Sequence, residues 1–323
     1  MPEAATSIHA IAHELGIAAS TVSRALNGHP AISAKTRARV LEASRRLNFR
    51  PRSQLPCVAV VMATGALGMK HNYCTAMLSL LANALTAQGM PLELLDFSDI
   101  DRARKLHIAA VISVGANDAL LRLRDVPNLP LFTIHCPLRE HGIHSAVVDH
   151  EQGARIGTEH LLEHGHRRIA FLEWTAHAWG SVERQNGFRK AMAAAGVEVR
   201  DDAFYFLSRD GQLYDILRRI KDGGFTAFLN LDETATMEAP HILSKVMGLT
   251  LPRDLSMVCI ESHNAHAYLA PPQTIIHQPL DEVVIAVAKA IKEMVEHGAP
   301  AEPLDIRVDS TLIVRESVAS IAN

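Results

Sequence analysis

The sequence predicts an α/β protein in which a small N-terminal helical head precedes parallel sheets that carry helices on both faces. Two patterns predict this fold. In the first part of the chain, apolar side chains recur at helical spacing. After residue 56, short runs of β-forming residues alternate with amphipathic helical segments. A length of 323 residues, of which 48% are hydrophobic, is sufficient for a head and two larger lobes.

Residues 7–28 are predicted to form two short helices joined by a tight turn. Ser7 is a good N-cap for the first helix, because its hydroxyl can accept a hydrogen bond from a free backbone N–H. Gly16 suits the turn, since glycine readily adopts left-handed backbone. Ser33 is expected to cap a third helix over residues 34–47. The residues expected to face the core of the head are Ile8, Ile11, Ala12, Leu15, Ile17, Val22 and Leu26.

The second helix carries a small, polar and basic face that fits a DNA major groove. Arg24 can donate two hydrogen bonds to one guanine edge, and Ser20 can reach a base or a phosphate. Ala19 offers only a methyl-sized contact, for instance to thymine. Three further residues suit phosphate oxygens, which position a protein on DNA without conveying sequence: Thr21, Ser23 and Asn27. The pattern therefore predicts a DNA-binding helix-turn-helix.

The charge of the chain is divided unevenly between the head and the remainder. Residues 1–56 contain eight Lys or Arg and three Asp or Glu, a net charge of +5. The whole chain carries −3, so residues 57–323 carry −8. This asymmetry is expected when only the head contacts a polyanion. The alternative is an ordinary three-helix segment whose basic face is solvated.

Seven β-rich runs predict the strands of the body. They are residues 58–63, 92–95, 109–114, 131–135, 168–173, 225–230 and 257–261. Amphipathic segments between them, such as residues 76–88 and 152–164, are expected to be helices. Ligands of such sheets bind at the carboxyl ends of the strands, so the body is expected to hold a small-molecule site.

Composition and motifs exclude several other classes of protein. No apolar run reaches the roughly 18 residues that span a bilayer. The N-terminal segment lacks the basic and apolar regions of a signal peptide, so we expect a cytoplasmic protein that binds no membrane. The four cysteines are scattered and are interpreted as small apolar residues. No P-loop, nucleophile elbow or H-E-x-x-H motif occurs, and we expect no metal, no other cofactor and no enzymatic activity.

The head and several downstream segments strongly resemble the lactose-repressor (LacI/GalR) family. SIHAIAHELGIAASTVSRALNG, residues 7–28, is similar to the family pattern T-I-x-D-V-A-x-x-A-G-V-S-x-x-T-V-S-R-V-L-N-G. Five further landmarks follow in family order, so that the resemblance extends over essentially the whole chain. They are ISAKTRARVLEASRRLNFRP (32–51), VVDHEQGARIGTEHLLEHGHRRIAFLE (147–173), SVERQNGFRKAMAAAG (181–196), LPRDLSMVCIE (251–261) and PPQTIIHQPLDEV (271–283).

The resemblance implies a two-lobed core like that of the periplasmic sugar-binding proteins. The helix-turn-helix head would take residues 1–50, and a shortened linker would take residues 51–57. Lobe 1 would consist of residues 58–148 with 279–307, and lobe 2 of residues 149–278 with 308–323. The resemblance places the ligand pocket between the lobes.

The resemblance also implies a set of effector-binding residues. Arg184, in the pattern S-x-x-R-x-x-G-F, is the strongest match, and its guanidinium suits a hydroxyl pair or a carboxylate. The other candidates are His71, Tyr73, His135, Asp232, Glu261 and Gln278. His135 and Leu231 replace two acceptors of the family pattern, and Glu261 lengthens a third. These departures favour an anionic ligand, such as a sugar acid or a sugar phosphate. The alternative is a pocket without a physiological ligand.

The linker between head and body is shorter than the family pattern implies. Family members carry a hinge helix there, which wedges a leucine into the minor groove. In this sequence only four residues lie between Pro51 and Pro56, too few for a stable helix. Leu55 is the remaining candidate for the wedging residue. We therefore expect weaker DNA bending, a different half-site spacing, or a different coupling of ligand to DNA affinity.

These observations predict a sequence-specific DNA-binding transcriptional regulator, modulated by a sugar or sugar-acid effector. We expect it to repress genes of carbohydrate or sugar-acid catabolism. A homodimer on a palindromic operator is expected, because no leucine heptad follows the last predicted strand. The alternative is a sugar-binding protein, or an enzyme-like core, with a vestigial DNA-binding head. The full set of expected DNA-binding residues is Ser7, Ala19, Ser20, Thr21, Ser23, Arg24, Asn27 and Leu55.

Overall fold

The computed structural model describes residues 7–27, 29–47, 49, 55–64, 72–105, 108–115, 118–210, 212–261 and 264–321. The chain forms two compact units. Unit 1, which includes the head, comprises Met1–Met69, Cys74–Val147 and Asp281–Ile306, and unit 2 comprises Lys70–Tyr73, Val148–Leu280 and Arg307–Asn323. Within the described part of the chain, no helix has the length and apolar character that a membrane span requires.

The head consists of three helices around a small apolar core. They are α1 (Ile8–Leu15), α2 (Ala19–Leu26) and α3 (Ala34–Arg46). The Ser7 hydroxyl accepts a hydrogen bond from the backbone N–H of Ala10, and Gly16 ends α1 with a left-handed φ of 65°. The buried side chains of the core are Ile11, Ala12, Val22, Ala25, Leu26, Val40, Leu41 and Ala43. The helix-turn-helix predicted from the sequence is confirmed.

The first of two sheets has six strands. They are β1 (Cys57–Met62), β2 (Leu92–Asp96), β3 (Ile108–Val114), β4 (Leu131–Ile134), β5 (His144–Val148) and β11 (Asp305–Val308). Their order is β11-β5-β4-β3-β1-β2. Each pair of neighbours among the first five strands, β1 to β5, is parallel. The helices of this part are α4 (Asn72–Ala87), α5 (Arg102–Lys105) and α11 (Leu280–His297).

The second sheet also has six strands. They are β6 (Ile169–Glu173), β7 (Phe204–Phe206), β8 (Ala227–Asn230), β9 (Ser256–Glu261), β10 (Thr274–His277) and β12 (Thr311–Ile313). Their order is β12-β10-β9-β8-β6-β7, in which β12 is antiparallel to β10 and the other pairs are parallel. The helices here are α6 (His150–Glu163), α7 (Trp179–Ala194), α8 (Leu207–Asp210), α9 (Leu213–Asp222) and α10 (Glu233–His241).

Two glycines allow close packing around α6. A Cβ at Gly187 on α7 would overlap the backbone carbonyl oxygen of Glu151 on α6. A Cβ at Gly157 would lie 2.6 Å from the Ile276 side chain on β10. Because real Cβ atoms do not approach other atoms so closely, α6 is held against both α7 and the sheet at a distance that only glycine permits.

The observed architecture confirms the predicted fold class of a helical head and mostly parallel α/β lobes. All seven predicted runs form strands, with ends that shift by one or two residues. Four further strands were not predicted from the sequence, namely β5, β7, β10 and β11, whereas β12 lies within the last strand expected at about residues 308–318.

Candidate DNA interface and effector-binding site

The exposed face of α2 is the candidate DNA interface. Ser20, Arg24 and Asn27 are exposed and lie on one side of the helix, at the spacing that brings residues onto a common face. The Arg24 guanidinium forms no hydrogen bond or ion pair with any residue in the described ranges. This side chain is therefore available to an external acceptor.

Except for Leu55, the remaining residues of the predicted DNA-binding set are less exposed than expected. Ala19, Thr21 and Ser23 are half-buried, and Ala19 packs against the core of the head. The Ser7 hydroxyl is engaged as the N-cap of α1. Leu55 is 67% exposed, and the linker residues 50–54 before it lie outside the described residues. The structure thus concentrates the accessible polar atoms of α2 on fewer positions than the sequence suggested.

The first turn of α2 has no side-chain cap. Ala18 occupies the N-cap position with extended backbone, φ −67° and ψ 144°, but its methyl group accepts no hydrogen bond. The other two helices of the head are capped by the hydroxyls of Ser7 and Ser33. The helix that presents Arg24 is consequently the one with the weakest N-terminal anchoring.

The head is fastened to the lobe that follows it in unit 1. The Arg45 guanidinium, at the end of α3, donates hydrogen bonds to the backbone carbonyls of Ala103 (2.9 Å) and Arg104 (3.1 Å). In return, the side-chain amide of Asn128 donates to the Arg45 carbonyl over 2.6 Å. Burial and the neighbouring Arg104 lower the pKa of Arg45, which nevertheless stays cationic at neutral pH. The lengths of these bonds indicate a specific contact.

The carboxyl-end edge of the second sheet is the candidate effector site. Glu173 ends β6, Asn230 ends β8, Glu261 ends β9, and Gln278 directly follows β10. Because these four strands are parallel neighbours, their carboxyl ends lie along one edge. All four side chains are buried, at 5% exposure or less. Such an edge is where small ligands bind in sheets of this type.

A buried ion pair dominates one side of this edge. An Nη atom of Arg184 lies 2.5 Å from a carboxylate oxygen of Glu173, and the side chains are only 10% and 6% exposed. The other Nη atom of Arg184 lies 3.3 Å from Nδ1 of His150. Burial raises the pKa of Glu173, and the adjacent Arg184 limits the rise. Arg184 was predicted as an effector residue, but its charge is already balanced inside the protein.

A second buried carboxylate is paired with a histidine. A Glu261 carboxylate oxygen lies 2.8 Å from Nδ1 of His266 and accepts a hydrogen bond from the backbone N–H of His266 over 3.1 Å. Burial opposes ionisation of Glu261, but the hydrogen bonds from His266 outweigh it and hold the pKa of Glu261 below its ordinary value. Glu261 is therefore an oriented anion at the end of β9.

Several buried polar atoms of this edge have no hydrogen-bond partner among the described residues. They are one carboxylate oxygen each of Glu173 and Glu261, the side-chain NH₂ of Asn230 and Nε of Arg184. An unpaired buried polar group costs about 1–3 kcal/mol, so such atoms are uncommon in native proteins and need an explanation. Two acceptors and two donors on one edge match a ligand that both donates and accepts hydrogen bonds.

The structure places the other predicted effector residues as follows. Asp232 is half-buried, and its carboxylate accepts a hydrogen bond from the backbone N–H of Ala235 over 2.7 Å, so that it caps α10. His135 follows β4 in unit 1 with φ 86°, a strained backbone for a residue that is not glycine. Tyr73 is half-buried in the first turn of α4. His71 lies outside the described residues.

Two residues of the effector edge were missed by sequence reasoning. Glu173 and Asn230 are each the final residue of a buried apolar strand, IAFLE and AFLN. A polar residue that directly ends such a strand was the available signal, because strands of parallel sheets end at the ligand-binding edge. The family pattern led instead to Asp232 and marked its neighbour Leu231 as a lost acceptor, and Leu231 is 3% exposed in the core of unit 2.

A helix-turn-helix head in front of two α/β lobes defines a class of DNA-binding regulators with a ligand-binding body. Comparison with known families supports each part. The profile of bacterial regulatory proteins of the lacI family matches residues 7–52. Periplasmic binding proteins and the sugar-binding domain of the LacI family match residues 70–213, and a periplasmic binding protein-like domain matches residues 158–318. The chain belongs to the LacI family of bacterial transcriptional regulators.

Curated relatives and solved structures are similar over nearly the whole chain. The HTH-type transcriptional regulator CelR of Thermobifida fusca is 26% identical over 96% of this chain and 98% of its own length. The repressor PurR of Pasteurella multocida is 24% identical over 97% and 99%. A CelR–cellobiose complex has a TM-score of 0.72 at 23% identity, with 97% of this chain and 99% of that chain covered. A lac repressor dimer bound to operator and the anti-inducer ONPF has a TM-score of 0.69 at 19% identity, with the same coverage.

The family assignment confirms the main functional expectation. This chain is a DNA-binding transcriptional regulator, and members of its family are not enzymes. LacI-family regulators bind operator DNA and a small effector as dimers.

Proposed function

We propose that this chain is a homodimeric repressor that reads a palindromic operator with the Ser20–Arg24–Asn27 face of α2. The exposed Arg24 guanidinium carries the proposal, because a planar fork of donors suits the two acceptors of a guanine edge. Two heads related by a twofold axis would meet two half-sites of a palindrome.

We further propose that the effector is a neutral, hydroxyl-rich molecule of the sugar class, and that the regulated genes serve carbohydrate catabolism. The buried pair of Glu173 and Arg184 supports a neutral ligand over the sugar acid expected from the sequence, because the guanidinium charge is already matched. The unpaired oxygens of Glu173 and Glu261 suit hydroxyl donors, and the Asn230 NH₂ suits a hydroxyl or ring oxygen. Nε–H of Arg184, the fourth unpaired group, also suits a hydroxyl oxygen, so that a neutral sugar offers a partner to each unpaired atom.

Selection of binding sites from a random duplex library, with the full chain as bait, tests the DNA proposal. We expect enrichment of an inverted repeat, whose affinity falls with salt at a log–log slope of about −0.9 per phosphate contact. A chain with a vestigial head would enrich no sequence over random competitor, and that result would overturn the proposal.

Thermal-shift measurements test the effector proposal. Neutral sugars, including cellobiose, are compared with glucuronate, glucose 6-phosphate and adenine. We expect stabilisation by a neutral sugar and none by the acids. The double variant Glu173→Gln/Arg184→Met removes the pair without leaving an unpaired charge, and it should abolish the shift. Arg218→Met, at an exposed position of α9, should preserve it. Stabilisation only by an acid or only by adenine would contradict the proposal.

A further inference from the structure

Unit 1 contains a pocket that is separate from the effector edge of unit 2. The pocket has a volume of about 460 Å³ and opens at the amino ends of β4 and β5, where Leu131 and His144 begin these strands. The segment after α11, around Pro300, closes another side. Its size lies within the range of small-molecule sites, which runs from about 300 to 1,000 Å³. Its position at the amino ends distinguishes it from the carboxyl-end site.

Most of the residues that line the pocket have apolar side chains, but polar atoms form the larger part of its exposed surface, and one buried imidazole is among its lining groups. His144 is 6% exposed, and its ring stacks on Phe132 with centroids 4.8 Å apart. Nδ1 of His144 accepts a hydrogen bond from the backbone N–H of Leu304 over 2.9 Å. This bond places the ring proton on Nε2 in the neutral imidazole. Burial lowers the pKa of His144, which keeps the ring neutral at pH 7.

The Nε2–H group of His144 is a donor that no protein acceptor occupies among the described residues. It makes no hydrogen bond with any other residue in the described ranges, although the side chain is more than nine-tenths buried and lines the pocket. Arg124 also lines the pocket, is exposed, and has no ion-pair partner in the described part of the chain. The remaining imidazole, that of His141, lies 3.5 Å from the Glu140 carboxylate. The pocket thus combines apolar side chains with polar groups, among them the neutral His144 donor and the Arg124 cation.

We propose that this pocket binds a small carboxylic acid with an apolar aromatic or branched aliphatic body. The carboxylate accepts hydrogen bonds from Nε2–H of His144 and from the Arg124 guanidinium, and the body packs against walls such as Val126, Ile143 and Met294. A carboxylate has acceptor positions for both donors, and charge-assisted hydrogen bonds of this kind are the stronger ones. An amide of the same shape lacks the charge and offers fewer acceptors.

The experiment measures binding of benzoate, phenylacetate and 4-methylpentanoate to the full chain by calorimetry, each beside its neutral amide. At least one acid should bind about tenfold or more tightly than its amide, because the amide loses the charge-assisted bonds. Arg124→Gln alters an exposed residue, so the fold is kept, and it should weaken acid binding by a similar factor. Lys289→Gln removes a charge from an exposed position of α11 outside the pocket and should leave binding unchanged.

Three results would overturn the proposal: no binding of any of the acids, equal binding of acid and amide, or acid binding that survives Arg124→Gln. A second readout does not depend on a variant. In ¹⁵N-histidine spectra, the Nε2 resonance of His144 should shift on addition of the binding acid and stay in place with the amide. Because neither measurement uses DNA or a sugar, failure here leaves the proposed repressor function untouched.

Discussion

Single residues of the head determine how firmly the recognition helix is held and what it presents. The N-caps Ser7 and Ser33 and the turn at Gly16 were predictable, because capping and left-handed backbone are local properties.

The pairing of Glu173 with Arg184 in unit 2 was not predictable, since the partners are eleven residues apart on different elements. Sequence reasoning identified the guanidinium as a ligand group and could not foresee that a neighbouring carboxylate balances it.

Ala18→Ser should stabilise the head by about 1 kcal/mol, because the serine hydroxyl would accept a hydrogen bond from a free backbone N–H at the start of α2. The backbone at Ala18 is already extended, as an N-cap requires. Hydrogen exchange of the α2 amides measures the effect. Ala38→Ser, the same change at an exposed position inside α3, is the control and should be neutral or slightly destabilising. Unchanged or faster exchange of these amides in Ala18→Ser would contradict the prediction.

Arg24→Ala should lower operator affinity by about 1–3 kcal/mol and relax the preference at one base pair of each half-site. The physical reason is the loss of a two-donor contact to a base edge. Gel shifts with the selected operator and its single-base variants provide the measurement. Arg218→Ala, far along the sequence in α9 and paired with Asp222, serves as the control. If Arg24→Ala weakens all sequences equally, Arg24 contacts phosphate instead of a base.

At the scale of elements, long or strongly apolar segments were predictable and short or exposed ones were not. Fully buried strands such as β3 and β9 are recognisable in the sequence as continuous apolar runs. β7 has only three residues, too few for a periodic signal. β11 alternates exposed and half-buried positions and pairs far from its neighbours in sequence. Such strands form because they pair with a neighbouring strand of the sheet, and a local sequence pattern carries no information about that pairing.

Gly187→Ala tests whether the close contact of α6 with α7 is required. The new methyl group would meet the Glu151 carbonyl, so the helices must separate, at a cost of about 1–3 kcal/mol. Urea denaturation followed by the fluorescence of Trp174 and Trp179, the two tryptophans of the chain, should show a transition at a lower urea concentration. Ala193→Ser, exposed near the end of the same helix, should leave the midpoint unchanged. An unchanged midpoint in Gly187→Ala would mean that the two helices tolerate a wider separation.

At the scale of the whole molecule, the sequence predicted a head and two α/β lobes. The family resemblance implied the places where the chain passes from one lobe to the other. Periodicity alone could not have assigned α11 to unit 1. The chain returns there after passing through unit 2, and no local sequence pattern indicates such a return. The structure places Asp281–Ile306 with unit 1 and the residues from Arg307 onward with unit 2. Partition of a chain among lobes therefore depends on long-range contacts.

Unit 2 should lose stability in mild acid because of buried His160. Burial, with smaller contributions from His164 and His166, lowers the pKa of His160 to about 4 from an ordinary 6.5. Between these values the unfolded chain binds a proton that the folded chain does not, so the free energy of unfolding falls as pH falls from 6.5 towards 4. One such group removes about 1.4 kcal/mol per pH unit at most.

His160→Leu should flatten this pH dependence, because the leucine fills the same space without titrating. Hydrogen exchange of the α6 amides between pH 4 and pH 7, corrected for intrinsic exchange, provides the measurement. His297→Gln, an exposed histidine at the end of α11, is the matched control and should retain the slope. An equally steep slope in His160→Leu would assign the effect to other groups.

The hydrogen bonds that join Arg45 to Asn128 and to α5 hold the head against its lobe, and this affects how the regulator binds its operator. A head on a loose tether loses translational and rotational freedom when it docks on DNA, and that loss weakens binding. A head already immobilised against its own lobe gives up this freedom during folding. Preorganisation of this kind favours tighter binding for the same number of contacts, and it restricts the separations of half-sites that two heads can straddle.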